Sequence, residues 1–182
     1  LDDTVKSLDD IDRYVHLPAL ALIPASRSTG GRLKGLSPSA APGPSETTAL
    51  AMVDDVKSPI AEAYRHLRTS LLLSSAGQPP KTILVTSSQP SEGKTTTGIN
   101  TAFMLAQTGA EVLIIDCDLR RPMVENTLLN NNKRGFGLTD YLTGQKDFKT
   151  VIHSTETENF FYIPAGTHSP NPAELLAQTG ID

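Results

Sequence analysis

The chain has 182 residues, 38% of them hydrophobic and 20% charged, with a net charge of −4; this suffices for one domain of ordinary size and argues against disorder throughout. Mild acidity argues against nucleic acid as a partner, because neutralising phosphates takes a basic surface. The lone Cys117 excludes an internal disulfide framework and a multi-cysteine zinc site, and no apolar run approaches the roughly eighteen residues of a transmembrane helix.

The chain opens on Leu1 with no visible signal peptide, so it reads as a soluble segment of something longer. Residues 1–25 read as a small ordered piece. Ser7-Leu8-Asp9-Asp10 starts a helix there, with Ile11, Tyr14 and Val15 at helical spacing. After Pro18, the run from Ala19 to Ile23 reads as a short buried strand ended by Pro24. Residues 26–57 turn to Ser, Gly, Pro and Ala without a hydrophobic period, the composition of a flexible linker. The folded part restarts at Ser58-Pro59, an N-cap followed by proline at the first helical position, and spans 58–182. Ile60, Tyr64, Leu67 and Leu71 form one face of that helix, with Glu62, Arg65 and Arg68 away from it.

Next comes Thr82 to Thr86, an apolar run suited to a buried strand, then a Ser/Pro/Gly loop and a helix over 94–108 stopped by Gly109. Val112 to Ile115 is a second continuous apolar strand, as expected where helices cover both sheet faces. Strand, helix, strand in this order predicts a right-handed βαβ unit, with a third strand at Phe160 to Ile163. The fold class is therefore α/β: an open, mostly parallel sheet flanked by helices.

The loop after the first predicted strand ends Ser91-Glu92-Gly93-Lys94-Thr95-Thr96. A phosphate-binding loop needs close backbone approach, a cation for the outer phosphates and a hydroxyl for Mg²⁺, just as a helix begins. Gly93, Lys94 and Thr95 meet those three needs, although Ser88 stands where the usual motif has its first glycine. The bland alternative is a helix start with an exposed lysine. The second strand ends Asp116-Cys117-Asp118-Leu119-Arg120-Arg121, and alternation puts both carboxylates on one side at the ligand-binding end of the sheet. They could hold Mg²⁺ and accept a proton from an incoming hydroxyl; equally, Asp118 could pair with Arg120 or Arg121 at a solvated strand end. An Asp-x-Asp also suits a metal-dependent glycosyltransferase, which would leave the Gly-Lys-Thr loop unexplained. Cys117, between the two, is expected to point into the core. His16, His66, His153 and His168 show no metal-ligand spacing.

Taken together, the loop Glu92-Gly93-Lys94-Thr95-Thr96 and the strand end Ile-Ile-Asp-Cys-Asp-Leu-Arg-Arg-Pro resemble the bacterial tyrosine kinases of capsular and exopolysaccharide biosynthesis, P-loop autokinases. Glu62-x-x-Arg65-x-x-Arg68 matches that family's Glu-x2-Arg-x2-Arg motif, and Leu1 to Lys6 resembles the stretch after its second transmembrane helix. Gly137 to Leu142, Pro164-Ala165-Gly166 and Pro170 to Leu176 are similar to family segments as well. The resemblance implies a P-loop NTPase-type fold and ATP-dependent autophosphorylation of tyrosines between subunits, with ATP and Mg²⁺ as cofactors. Ser91, Glu92, Gly93, Lys94, Thr95 and Thr96 would cradle the nucleotide. Lys94, Asp116 and Asp118 would carry the chemistry, and Thr95, Asp116 and Asp118 would hold the metal. Glu62, Arg65 and Arg68 would contact a neighbouring copy in a ring. The partners implied are further copies of the chain, a membrane-anchored polysaccharide co-polymerase portion and a cognate phosphatase, at the cytoplasmic face of the inner membrane.

Three departures stand out. Ser91 occupies a place where many family members have glycine. The third signature, a hydrophobic strand ending in Asp, is absent before Asp182, as is the tyrosine-rich tail, so this segment alone is expected to be a poor kinase. A partition- or division-site-type ATPase is the alternative, but such proteins carry a second lysine where Gln89 stands. The remaining reading is a non-catalytic, nucleotide-binding adaptor of a polysaccharide export complex.

Overall fold

The computed structural model describes residues 11, 13, 16–24, 58–74, 78–129 and 135–178. The helix start expected at 7–10 and the linker expected at 26–57 lie outside them. The chain divides into two units, Leu1–Leu84 and Val85–Asp182.

In the first unit, α1 spans Pro59–Leu73. Ser58 caps it as its sequence demands: the Oγ accepts from the Ala61 N–H at 3.1 Å, and Pro59 fills a position that needs no donor. Ala61 and Tyr64 are its buried side chains. Ser58→Ala is expected to cost this unit about 1 kcal/mol, read as a lower melting temperature. The strand expected at Ala19–Ile23 is not formed. Leu22 is 72% exposed, and the Leu20 carbonyl is taken by the Ser70 hydroxyl at 2.9 Å, so this stretch is held by a side chain of α1 rather than by a ladder.

The second unit carries α2 (Lys94–Ala106), β1 (Val112–Ile115), α3 (Val124–Leu129), α4 (Leu138–Leu142), α5 (Phe148–Val151), β2 (His153–Ser154), β3 (Phe160–Ile163) and α6 (Pro172–Gln178). The strands form a mixed sheet ordered β1-β3-β2, with β1 and β3 parallel and β2 antiparallel to β3. Gly109, at φ +86°, ends the α2 region in the left-handed conformation that favours glycine. α2 packs on the sheet at Gly98, where a Cβ would make an ordinary van der Waals contact with Ile114 Cδ1 at 3.6 Å. Ile99, Ala102, Phe103 and Met104 of α2 are buried. A second cluster, Leu119, Leu138, Val151, Ile163 and Ala165, joins the end of β1 to α4, α5 and β3.

Two sequence expectations are corrected here. Residues 82–87 join no ladder, and Leu84 is 86% exposed. An apolar run marks a segment fit for burial; it becomes a strand only where a neighbour supplies backbone partners, and β1 pairs with β3 instead. Helices do not cover both faces of β1 among the described residues: α2 meets the Ile114 side, while Leu113 and Ile115 are 38% and 42% exposed.

Candidate functional site

The loop before α2 is folded on itself by its own polar groups. Glu92 accepts from the Gln89 N–H at 3.0 Å, and the Ser88 hydroxyl donates to both its oxygens, at 3.0 and 3.1 Å. These bonds, the Gln89 amide first, hold the Glu92 carboxyl below the usual range. Gly93 then adopts φ +87° as the N-cap of α2 without a side-chain cap. The first N–H groups of that helix are therefore left for an anion, with the partial positive charge of the helix end behind them. Ser91 also sits in the left-handed region, at φ +65°, where an L side chain is strained. Ser91→Gly is expected to stabilise the loop by about 1 kcal/mol, measured as slower amide exchange over 87–93.

Asp118 is brought to this loop from the end of β1. Its Oδ2 accepts from Lys94 Nζ in an ion pair linking residues 24 apart, and its Oδ1 accepts from the Arg121 N–H at 3.0 Å. The lysine contact is the main reason its carboxyl lies below the ordinary aspartate range. The two arginines expected as possible partners both meet Asp118 through their backbone amides, Arg121 at 3.0 Å.

Asp116 is 6% exposed and serves the backbone. Oδ1 accepts from the Asp118 N–H at 3.1 Å, and Oδ2 accepts from Met123 and Val124, each at 3.0 Å. Burial pushes its carboxyl up, and these amides pull against that rise. A carboxylate offers about four acceptor sites, so roughly one remains. Cys117 is exposed, which corrects its expected inward orientation. Asp116 takes the buried side at the strand end, and alternation sends the next residue outwards with Leu113 and Ile115. Partial desolvation, then the Asp116 charge, raises the thiol above its ordinary range, so it stays protonated.

The geometry thus groups Lys94, Thr95 at the start of α2, Asp118 and, behind it, Asp116. The donor set suits a hard cation that takes one or two carboxylates and completes its shell with phosphate oxygens and water. Among the described residues no cluster of three or more His, Cys, Asp or Glu forms an all-protein cage. Glu62, Arg65 and Arg68 belong to α1 in the first unit, where Arg65 Nε meets Glu62 at 2.9 Å. Glu62 is 74% exposed and the pair lies within one helix, so it contributes little to stability.

Asp140, noted in the sequence only as part of the Gly137–Leu142 segment, is 1% exposed. Its Oδ2 accepts from the Gly137 N–H at 2.8 Å and its Oδ1 from the Thr167 hydroxyl at 2.8 Å, tying α4 to the loop after β3. An aspartate three residues after Gly137 in Gly-Leu-Thr-Asp, the spacing that lets a carboxylate reach back to the helix-entry amide, was the available signal.

A family of AAA domains matches residues 80–179, more than half of the chain. The chain is 35% identical over 132 residues to the tyrosine-protein kinase YwqD of Bacillus subtilis, covering 72% of itself and 54% of that protein. With the tyrosine-protein kinase CpsD of Streptococcus pneumoniae the identity is 40% over 115 residues, covering 63% and 49%. Among solved structures, the kinase domain of the Escherichia coli tyrosine kinase ETK superposes with a TM-score of 0.77 at 29% identity, over 95% of this chain and 65% of that one. The chain spans about half the length of these curated relatives. No helix among the described residues is long and apolar enough to cross a membrane.

Proposed function

The chain belongs to the AAA-domain family and is a relative of the bacterial tyrosine kinases, and we propose that it transfers the γ-phosphoryl group of ATP to tyrosines of neighbouring copies of itself. The observation that carries this reading is the Lys94–Asp118 pair, which couples the helix-entry loop to the end of β1. Ser91 to Thr96 would cradle the triphosphate, with Lys94 on the outer phosphates. Thr95 and Asp118 would hold Mg²⁺, with Asp116 keeping one acceptor site for it; the ion would supply charge neutralisation.

In the transfer, the tyrosyl oxygen forms a bond to the γ-phosphorus as the bond from that phosphorus to the β–γ bridging oxygen breaks and ADP leaves. The phenolic proton passes to Asp118. That carboxylate is a weak base while Lys94 is paired to it. Nucleotide phosphates compete for the lysine, which would free the Asp118 carboxylate for the cation and the tyrosyl hydroxyl. Asp116 holds the 118–124 backbone in place through three amides and so positions Asp118.

Glu62, Arg65 and Arg68 are proposed to exchange their intrahelical pairing for contacts with a second copy, which would bring acceptor tyrosines to the phosphate loop. The same reading sets the protein at the cytoplasmic face of the inner membrane, beside a polysaccharide co-polymerase portion and a phosphatase that resets it. Each phosphotyrosine adds nearly two negative charges and would loosen such a ring.

The test is to incubate the natural protein with Mg-ATP, reading phosphotyrosine by mass spectrometry and released phosphate in the same tubes. Phosphotyrosine supports the kinase. Phosphate release without it would sink the reading in favour of an ATPase, and silence in both would favour a nucleotide-binding adaptor.

A further inference from the structure

We propose that the cleft between Arg120 and the Pro170–Glu174 segment seats the ring of a tyrosyl side chain, the acceptor of the transfer; this role rests on the kinase reading above. β1 and β3 are parallel, so the chain leaves both at the same end of the sheet, the end where open α/β sheets bind ligands. After β1 it passes Asp116 and Asp118 to reach Arg120; after β3 it passes Gly166 to reach Pro170. Between these two paths lies an open cleft of about 190 Å³ lined by Arg120, Pro170, Asn171, Pro172, Ala173 and Glu174. A cavity of about 150 Å³ accommodates benzene, so this open cleft has room for one phenol ring.

The lining fits that ring. Pro170 and Pro172 offer flat apolar faces, and a guanidinium stacks on an aromatic ring through its planar cation. Arg120 carries no ion pair among the described residues, whereas Lys94 is committed to Asp118. The carboxylate of Glu174 is occupied by the Asn171 amide at 3.1 Å. One cation and one carboxylate make the cleft neutral overall, which suits an uncharged phenol; a phosphate group would meet Glu174 as a like charge. Arg120 stands two residues beyond Asp118, the proposed proton acceptor, so a ring held here lies on the same strand-end loop as the base.

The experiment titrates isotope-labelled natural protein with N-acetyl-tyrosinamide and follows its NMR spectrum. Saturable shifts at the Arg120 side chain, the Asn171 amide and residues 170–174 are expected, with affinity falling ~3–5-fold in Arg120→Ala. In a transfer assay with a tyrosine peptide, the same variant should raise the acceptor KM by a similar factor and leave the ATP KM unchanged. Shifts elsewhere, or an affinity indifferent to Arg120→Ala, overturn the site, as does a non-hydrolysable ATP analogue that fills the cleft. The two readings fail separately. A protein that phosphorylates tyrosine without cleft binding loses the site and keeps the kinase; one that binds tyrosyl in the cleft without transfer keeps the site and loses the kinase.

Discussion

Lys94→Met is expected to lower tyrosine phosphorylation at least about a hundredfold while leaving the fold intact. Removing one preorganised donor from a developing negative charge typically costs about 10²–10³ in rate, and Lys94 is the cation that the loop places at the mouth of α2. Its loss should cost stability little. The Lys94 and Asp118 side chains are 33% and 31% exposed, and a pair so open to water contributes about 0–1 kcal/mol. That corresponds to a melting shift of no more than roughly 4 °C for a chain of this size. Asp118 also keeps the Arg121 N–H when the lysine is gone, so no carboxylate is stranded. Activity and melting curves measured on one preparation separate the two effects. A variant that still phosphorylates tyrosine would remove Lys94 from the chemistry, and one that unfolds would make the pair structural.

Local signals were readable where a single residue enforces a local geometry. Ser58 caps α1, Gly109 stops the helix before β1, and Gly93 turns left-handed into α2, each as its residue type demands. β3 falls on the expected Phe160–Ile163 because a four-residue apolar run between turns has few other ways to be buried. What escaped were facts about partners. Residues 82–87 have the composition of a strand, but a ladder needs a second backbone, and composition carries no record of one. The orientation of Cys117 depended on which side of the Asp116 position was covered. Asp118 was legible as a candidate, yet its ion-pair partner turned out to be Lys94, with the adjacent arginines meeting it through backbone amides, because the loop and the strand end converge only once folded. Asp116 looked equivalent to Asp118 in sequence; the path of residues 118–124 over its carboxylate makes it a holder of backbone.

Gly137→Ala is expected to cost about 3 kcal/mol or more, far beyond an ordinary glycine replacement. Its φ of −144° is open to any residue, so the penalty is steric and not conformational. A Cβ there would stand 2.1 Å from the Pro164 carbonyl oxygen and 2.4 Å from the Gly166 nitrogen, both backbone atoms that cannot swing aside. Relief requires α4 to lift away from the loop after β3. That movement stretches the Leu138 N–H bond to Pro164 and the Thr139 N–H bond to Ala165, now 2.8 and 2.9 Å, and disturbs the Asp140 contacts that join the same segments. Overpacking typically costs about 1–3 kcal/mol, and each buried donor left unmet adds about 1–3 more. The melting temperature should fall by roughly 6–12 °C. Gly144→Ala is the control. Its φ is +71° with no atom within 4 Å of the added carbon, so only the left-handed strain of about 1–2 kcal/mol applies. Equal losses in the two variants would refute the steric account. Because the loop displaced by Gly137→Ala leads into Pro170 and Asn171, the variant should also weaken tyrosyl binding in the cleft at temperatures where it remains folded, while Gly144→Ala should leave that binding untouched.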